Sequence, residues 1–146
     1  MATEAAAATE QQQYEKPLPP ITKLNAPFWE GTKRGELRLQ TCNECSQQWY
    51  PPSTHCPNCL SRDWEWKAVS GKGKVWSYVI VNRPGHPGLA DVVPYNASLV
   101  QMDDEPDFIY LTNIVDADET EIQVGLPVEV VFEQHEKITV PRFKKA

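Results

Sequence analysis

Residues 42–59, CNECSQQWYPPSTHCPNC, hold all four cysteines of a 146-residue chain. Cys42/Cys45 and Cys56/Cys59 form two C-x2-C pairs with ten residues between them. Each pair can wrap a tight turn that points both sulfurs at one ion, and the interval is long enough for a strand and its return. Zinc takes four tetrahedral ligands, and thiolates at about 2.3 Å satisfy it. Such a shell leaves no position for water, so the ion cannot work as a Lewis acid and the expected role is structural. Iron in a rubredoxin-like site accepts the same donors and is the chief alternative. A redox dithiol would want a thioredoxin-type βαβ context, which is missing. His55 is surplus to a completed shell and reads as a surface or packing histidine.

Outward from this stretch the pattern is mainly β. Short strands are expected around 36–41, 47–50 and 64–69, with Pro51, Pro52 and Ser53 turning the chain between them. Upstream, LNAPFWEGTKRG (24–35) reads as a short helix. Asn25 can cap it, Pro27 fits its first turn, and Gly35 supplies the stop. Gly31 weakens it by about 1 kcal/mol relative to alanine. Downstream, Ser70-Gly71-Lys72-Gly73 looks like a hinge. Strands follow over Lys74–Arg83, Tyr95–Met102, Asp107–Val115, Leu126–Gln134 and Ile138–Phe143, and Asp116–Gln123 is a helical turn or an irregular link. Five strands in about seventy residues suggest a small OB-fold barrel; an immunoglobulin-like sandwich would want more. The expected organisation is a disordered tail (1–20), an N-terminal helix (21–35), a rubredoxin-like zinc ribbon (36–69) and an OB-fold domain (70–146).

Charge and composition exclude several functions. The tail, MATEAAAATEQQQYEKPLPP, lacks the basic start and apolar centre of a secretory signal. Without one, the cytoplasm is the default compartment, where thiols stay reduced. No apolar run approaches the ~20 residues that cross a bilayer. The formal net charge is −6, and Pro84–Glu136 contains no lysine or arginine. A surface built from that half repels nucleic acid and anionic lipid. Neither a G-x-S-x-G elbow nor a phosphate-binding glycine loop is present. With every cysteine committed to metal, no thiol remains as a nucleophile.

Phe28-Trp29-Glu30-Gly31, Leu37–Gln40, the double C-x2-C, Ser70–Val75, Arg83–Gly88 and Leu126–Phe132, in this order, resemble the DUF35 family. The resemblance runs from about Leu24 to Phe143. It implies a zinc ribbon joined to an OB-fold, associated with acyl-CoA metabolism. It also implies a non-catalytic companion of thiolase-superfamily enzymes, including thiolases and steroid side-chain aldolases. The OB module would then help to shape the site for a coenzyme A thioester, and a thiolase-fold partner would supply the chemistry. Thiolysis, retro-aldol cleavage and Claisen condensation all remain open.

On that reading, His86 in the RPGHPG loop is a candidate to reach a neighbour's cleft; the plain alternative is that it bonds its own loop. Lys72, Lys74 and Arg83 bracket the first barrel strand and are candidates for coenzyme A phosphates, with Arg142, Lys144 and Lys145 near the C-terminus. Phe28 and Trp29, with Trp49 and Tyr50, are candidate interface anchors, although some of them must instead glue ribbon to helix. Trp76, Tyr78 and Tyr95 are expected in the core or an interface. The second hypothesis is a nucleic-acid-binding ribbon and OB-fold, since aromatics of such folds stack bases; the cation-free stretch argues against it. An independent enzyme is the third.

Overall fold

The structure is a computed structural model that describes residues 16–146. The tail expected over 1–20 lies mostly outside the described residues; 16–20 are exposed and without regular structure. Helix α1 (Ala26–Lys33) is followed by eight strands. β1 (Leu37–Cys42), β2 (Gln48–Trp49) and β3 (Trp64–Val69) make an antiparallel sheet in the order β2-β1-β3. β4 (Lys72–Val81), β5 (Tyr95–Met102), β6 (Ile109–Thr112), β7 (Pro127–Gln134) and β8 (Thr139–Lys145) make the second, in the order β6-β5-β4-β7-β8. A parallel bridge from Ile114 to Phe143 joins its two edges. A five-strand sheet in this order, closed between its third and fifth strands, is an OB-type barrel.

The helix ends as its sequence asks. Gly35 takes φ +77, its N–H bonds Thr32 O at 3.1 Å and Glu36 N–H bonds Gly31 O at 2.9 Å. These are the paired bonds of a Schellman stop. The expected cap differs. Asn25 makes no side-chain bond into the helix; its Oδ1 instead accepts from Thr22 N–H at 2.7 Å. Gly31 also has a packing reason, because a Cβ there would lie 2.8 Å from Arg38 Cδ.

The hinge expected at 70–73 is instead a pinned turn. β4 already begins at Lys72, and Ser70 bonds Asp104 through both its N–H and its hydroxyl. Gly71 has φ +71, and a Cβ there would meet Val130 Cγ1 at 2.2 Å. A Cβ on Gly73 would come within 2.4 Å of the Gln101 carbonyl oxygen. The glycines therefore allow close approach of β4 to its neighbours rather than motion.

One core joins both sheets. Phe28 and Trp29 of α1 and Leu37 and Leu39 of β1 pack with Val75, Val100, Met102, Tyr110, Val128 and Phe143 of the barrel. Aromatic rings continue it. Trp64 meets Trp66, Trp66 meets Phe28, Phe28 meets Tyr50, and Tyr50 meets Tyr110, with centroids 4.9–6.5 Å apart. Such pairs add about 0.5–1.5 kcal/mol each beyond their area. Burial pushes the Tyr50 and Tyr110 hydroxyls above their ordinary pKa. The first sheet is welded to the barrel, not tethered to it.

Candidate functional site

The two cysteine turns are built alike. Cys42 N–H bonds Gln47 O and Ser46 N–H bonds Cys42 O; Cys56 N–H bonds Ser61 O and Leu60 N–H bonds Cys56 O, all within 2.9–3.1 Å. The residue after each second cysteine, Ser46 or Leu60, takes φ 63. This left-handed step closes each turn and costs an L residue about 1–2 kcal/mol. The C-x2-C spacing predicted the two tight turns, but not the left-handed residue that closes each one.

The turns bring the four sulfurs within 4.8 Å of one another. Cys42 lies 3.5 Å from Cys59 and Cys45 lies 3.5 Å from Cys56, so the close pairs cross between turns. A tetrahedron of ~2.3 Å bonds has edges of about 3.8 Å, so the donors fit a zinc-sized ion with little adjustment. Cys42 and Cys56 are buried, Cys45 is half-buried and Cys59 is exposed. Trp49 and Trp64 pack against this cluster and form a small second core. The cluster ionises unevenly. Hydrogen bonds from the Asn58 side chain, then the Gln47 backbone, lower Cys45 to about 6. At Cys59 the Ser61 backbone bond pulls downward but is outweighed. Dehydration and the neighbouring Cys42, Cys45 and Cys56 push it up to about 12. Protons leave such a cluster first easily and then reluctantly, and a dication drives the last ones off.

His55 is outside the cluster, with Arg62 donating to Nε2 at 2.9 Å and Thr54 Oγ1 at 2.8 Å from Nδ1. Gln40 went unnoticed in the sequence. Fully buried on β1, its side-chain amide bonds both the N–H and C=O of Ser53, at 2.8 and 2.9 Å. It thereby clamps the segment leading into Cys56. No pattern marks a glutamine for this use, since its partner is thirteen residues away.

The other candidate residues do not gather into one cradle. Arg83 and His86 share the exposed loop after β4. His86 Nδ1 accepts from Gly88 N–H at 3.0 Å and caps the 3-10 turn Pro87–Leu89, so its bond to its own loop is observed. Lys72 and Lys74 are exposed at the start of β4, and the strand separates Lys74 from Val81 by roughly 23 Å. Near the C-terminus, Arg142 donates to Asn113 and lies 3.6 Å from Glu133. Lys144 pairs with Glu129 at 3.5 Å, and Lys145 with Glu121 at 2.6 Å. Lys145, bonded to the Glu121 carboxyl, holds it below the ordinary carboxylate pKa. These three cations are engaged within the chain. An open groove of about 470 Å³ beside the His86 loop is lined by Lys16, Leu18, Leu89, Tyr95, Asn113 and Arg142, among others.

Phe28 and Trp29 are corrected outright. They are 0% and 5% exposed, so their surface is spent inside the chain and cannot anchor a partner. Trp49 is likewise buried, whereas Trp76 is 51% exposed. Among the described residues, no helix is long and apolar enough to cross a membrane.

The fold and the cysteine cluster match known proteins. Residues 29–65 match the rubredoxin-like zinc ribbon domain of ChsH2, and residues 66–133 match the ChsH2 C-terminal OB-fold domain. A probable enoyl-CoA hydratase alpha subunit from Thermomonospora curvata is 33% identical over 132 residues; the match covers 90% of this chain but 40% of that protein's length. A DUF35 domain-containing scaffold protein from Methanothermobacter thermautotrophicus is 32% identical over 101 residues, covering 68% of this chain and 74% of that one. A chain of the solved Ltp2-ChsH2(DUF35) aldolase superposes with TM-score 0.75 at 31% identity, over 88% of this chain and 98% of that one. With its four-cysteine ribbon turned directly into a five-strand OB barrel, this chain belongs to the DUF35 family.

Proposed function

We propose that the chain is a non-catalytic accessory subunit of a thiolase-superfamily enzyme, thiolase or retro-aldolase, acting on acyl-CoA thioesters. The observation that carries this reading is the crossed cluster of Cys42, Cys45, Cys56 and Cys59. Holding one structural zinc, it leaves the chain no cysteine for acyl transfer. One relative's name, a probable enoyl-CoA hydratase alpha subunit, supports an acyl-CoA setting, and two others, a scaffold protein and a chain of an aldolase assembly, support an accessory role. Arg83 and His86 are the residues proposed to face the shared thioester site, from a loop stiffened by its own 3-10 turn. Lys72 and Lys74, at the far end of β4, would meet a different part of the ligand or the partner. Reduced thiols fit a cytoplasmic protein.

The test is to purify the tagged chain from its native cells and identify the bound subunit. That subunit's acyl-CoA turnover is then assayed with and without the chain. The expected result is a stoichiometric complex whose activity falls when the chain is removed. A partner equally active alone would leave only scaffolding, and no acyl-CoA enzyme in the complex would end the reading. Elemental analysis should give one zinc per chain; iron would reassign the metal.

A further inference from the structure

The outer face of β4, β5 and β6 carries an exposed apolar patch around Trp76, Val79 and Leu111. Cross-strand register places Ser77, Leu99 and Leu111 in one row, Val79 beside Ala97 in the next, and Lys74, Gln101 and Ile109 in the row at one end. Trp76 sits at the bulge between Val75 and Ser77. Trp76, Val79 and Leu111 are 51%, 59% and 66% exposed. An antiparallel sheet that turned this face to water would alternate to polar residues here. β5 buries Asn96 and Ser98 along with Val100 and Met102, and turns Ala97 and Leu99, half-buried, to the outer face.

We propose that this face docks the catalytic subunit of the proposed assembly, a protein offering an apolar patch edged with lysine or arginine. The inference rests on the accessory reading for the partner's identity, but on geometry for the surface. The charge around the face argues for such an occupant. Asp103, Asp104, Glu105 and Asp107 stand at one end, Asp91 and Asp116 beyond the other, and β5 and β6 carry no cation. Lys74 shares the Gln101 row and Lys72 adjoins Asp103, while at the other end Asp91 pairs with Lys16 at 3.8 Å and Arg83 follows β4, so the acidic excess lies at the Asp103–Asp107 end. Complementary charge at such a rim orients a partner and speeds its capture. Area argues against a second copy. Three strands spaced about 4.8 Å apart and about six residues long span roughly 300 Å², well below the ~800 Å² per side of a stable interface. A symmetric pair limited to this patch falls short, whereas a larger subunit can also cover the adjoining loop that carries Arg83 and His86.

The experiment titrates the co-purified catalytic subunit with the full chain in three forms: wild type, a Val79→Ser/Leu111→Ser variant and Leu111→Glu. Val124→Ser, removing an exposed valine of the turn before β7, is the control. Both face variants should bind at least roughly thirtyfold more weakly, the scale of losing central apolar anchors. Zinc content and melting should stay at wild-type values, and Val124→Ser should bind as wild type. Unchanged binding by the face variants overturns the surface assignment and leaves the accessory function standing. Absence of a wild-type complex ends both. A wild-type dimer that the face variants dissociate assigns the face to a second copy and overturns the proposal.

Discussion

Replacing Phe28 by alanine should unfold ribbon and barrel together. Phe28 is fully buried and lies 4.9 Å from both Trp29 and Tyr50 and 6.5 Å from Trp66, ring centre to ring centre. Burying about 170 Å² of ring at about 25 cal/mol per Å² is worth about 4 kcal/mol. Measured Phe→Ala changes in cores cost a similar 3–5 kcal/mol. Against the 5–15 kcal/mol that holds a domain of ordinary size, about 4 kcal/mol lowers the melting temperature by roughly 10–15 °C. The assay is urea unfolding followed by tryptophan fluorescence and by zinc release to a chromogenic chelator. Because the aromatic chain runs from the ribbon through Phe28 to the barrel, both signals should move together in one transition. A cost below about 1 kcal/mol, or a barrel transition left in place while the ribbon melts, would refute the shared core.

Three further outcomes are expected. Cys42→Ser should lose the zinc and destabilise the whole chain, not the ribbon alone, because Cys42 ends the strand whose Leu37 and Leu39 fill the shared core. Structural zinc contributes an apparent 10–16 kcal/mol, so circular dichroism should show most of the barrel unfolding with it; an intact barrel would contradict this. Asn96→Ala should cost about 2–4 kcal/mol in denaturant titrations, since Asn96 bonds both the N–H and C=O of Ile114 at 2.8 Å and leaves them orphaned when removed. Gly73→Ala should cost about 1–3 kcal/mol, because its new methyl meets the Gln101 carbonyl; a neutral result would show that β4 and β5 can part there.

Asn96 and Gln40 show why part of the structure escaped sequence reading. Both use a side-chain amide as a substitute for a strand neighbour. Asn96 holds Ile114 where β6 has left β5 to reach Phe143. Gln40 holds Ser53 where β2 has ended. An amide that bonds a backbone thirteen or eighteen residues away has no local signature. Its partner is chosen only when the chain has folded. Burial misled in the same way at Phe28 and Trp29. An aromatic pair on a short helix serves a core or an interface equally well, and only the neighbours decide.

By itself the sequence determined the metal centre, the strands and their order of appearance. Those follow from short-range rules: thiol spacing that one tight turn can satisfy, alternation at period two, and glycine where φ must be positive. The left-handed Gly35 stop and the strand Tyr95–Met102 were legible for that reason. Tertiary structure decided what depends on distance through space. It turned the expected hinge into a pinned junction and fused ribbon to barrel through one aromatic core. The β-bulge at Trp76 settled which side of β4 faces water, because one extra residue reverses the alternation that sequence alone would extend.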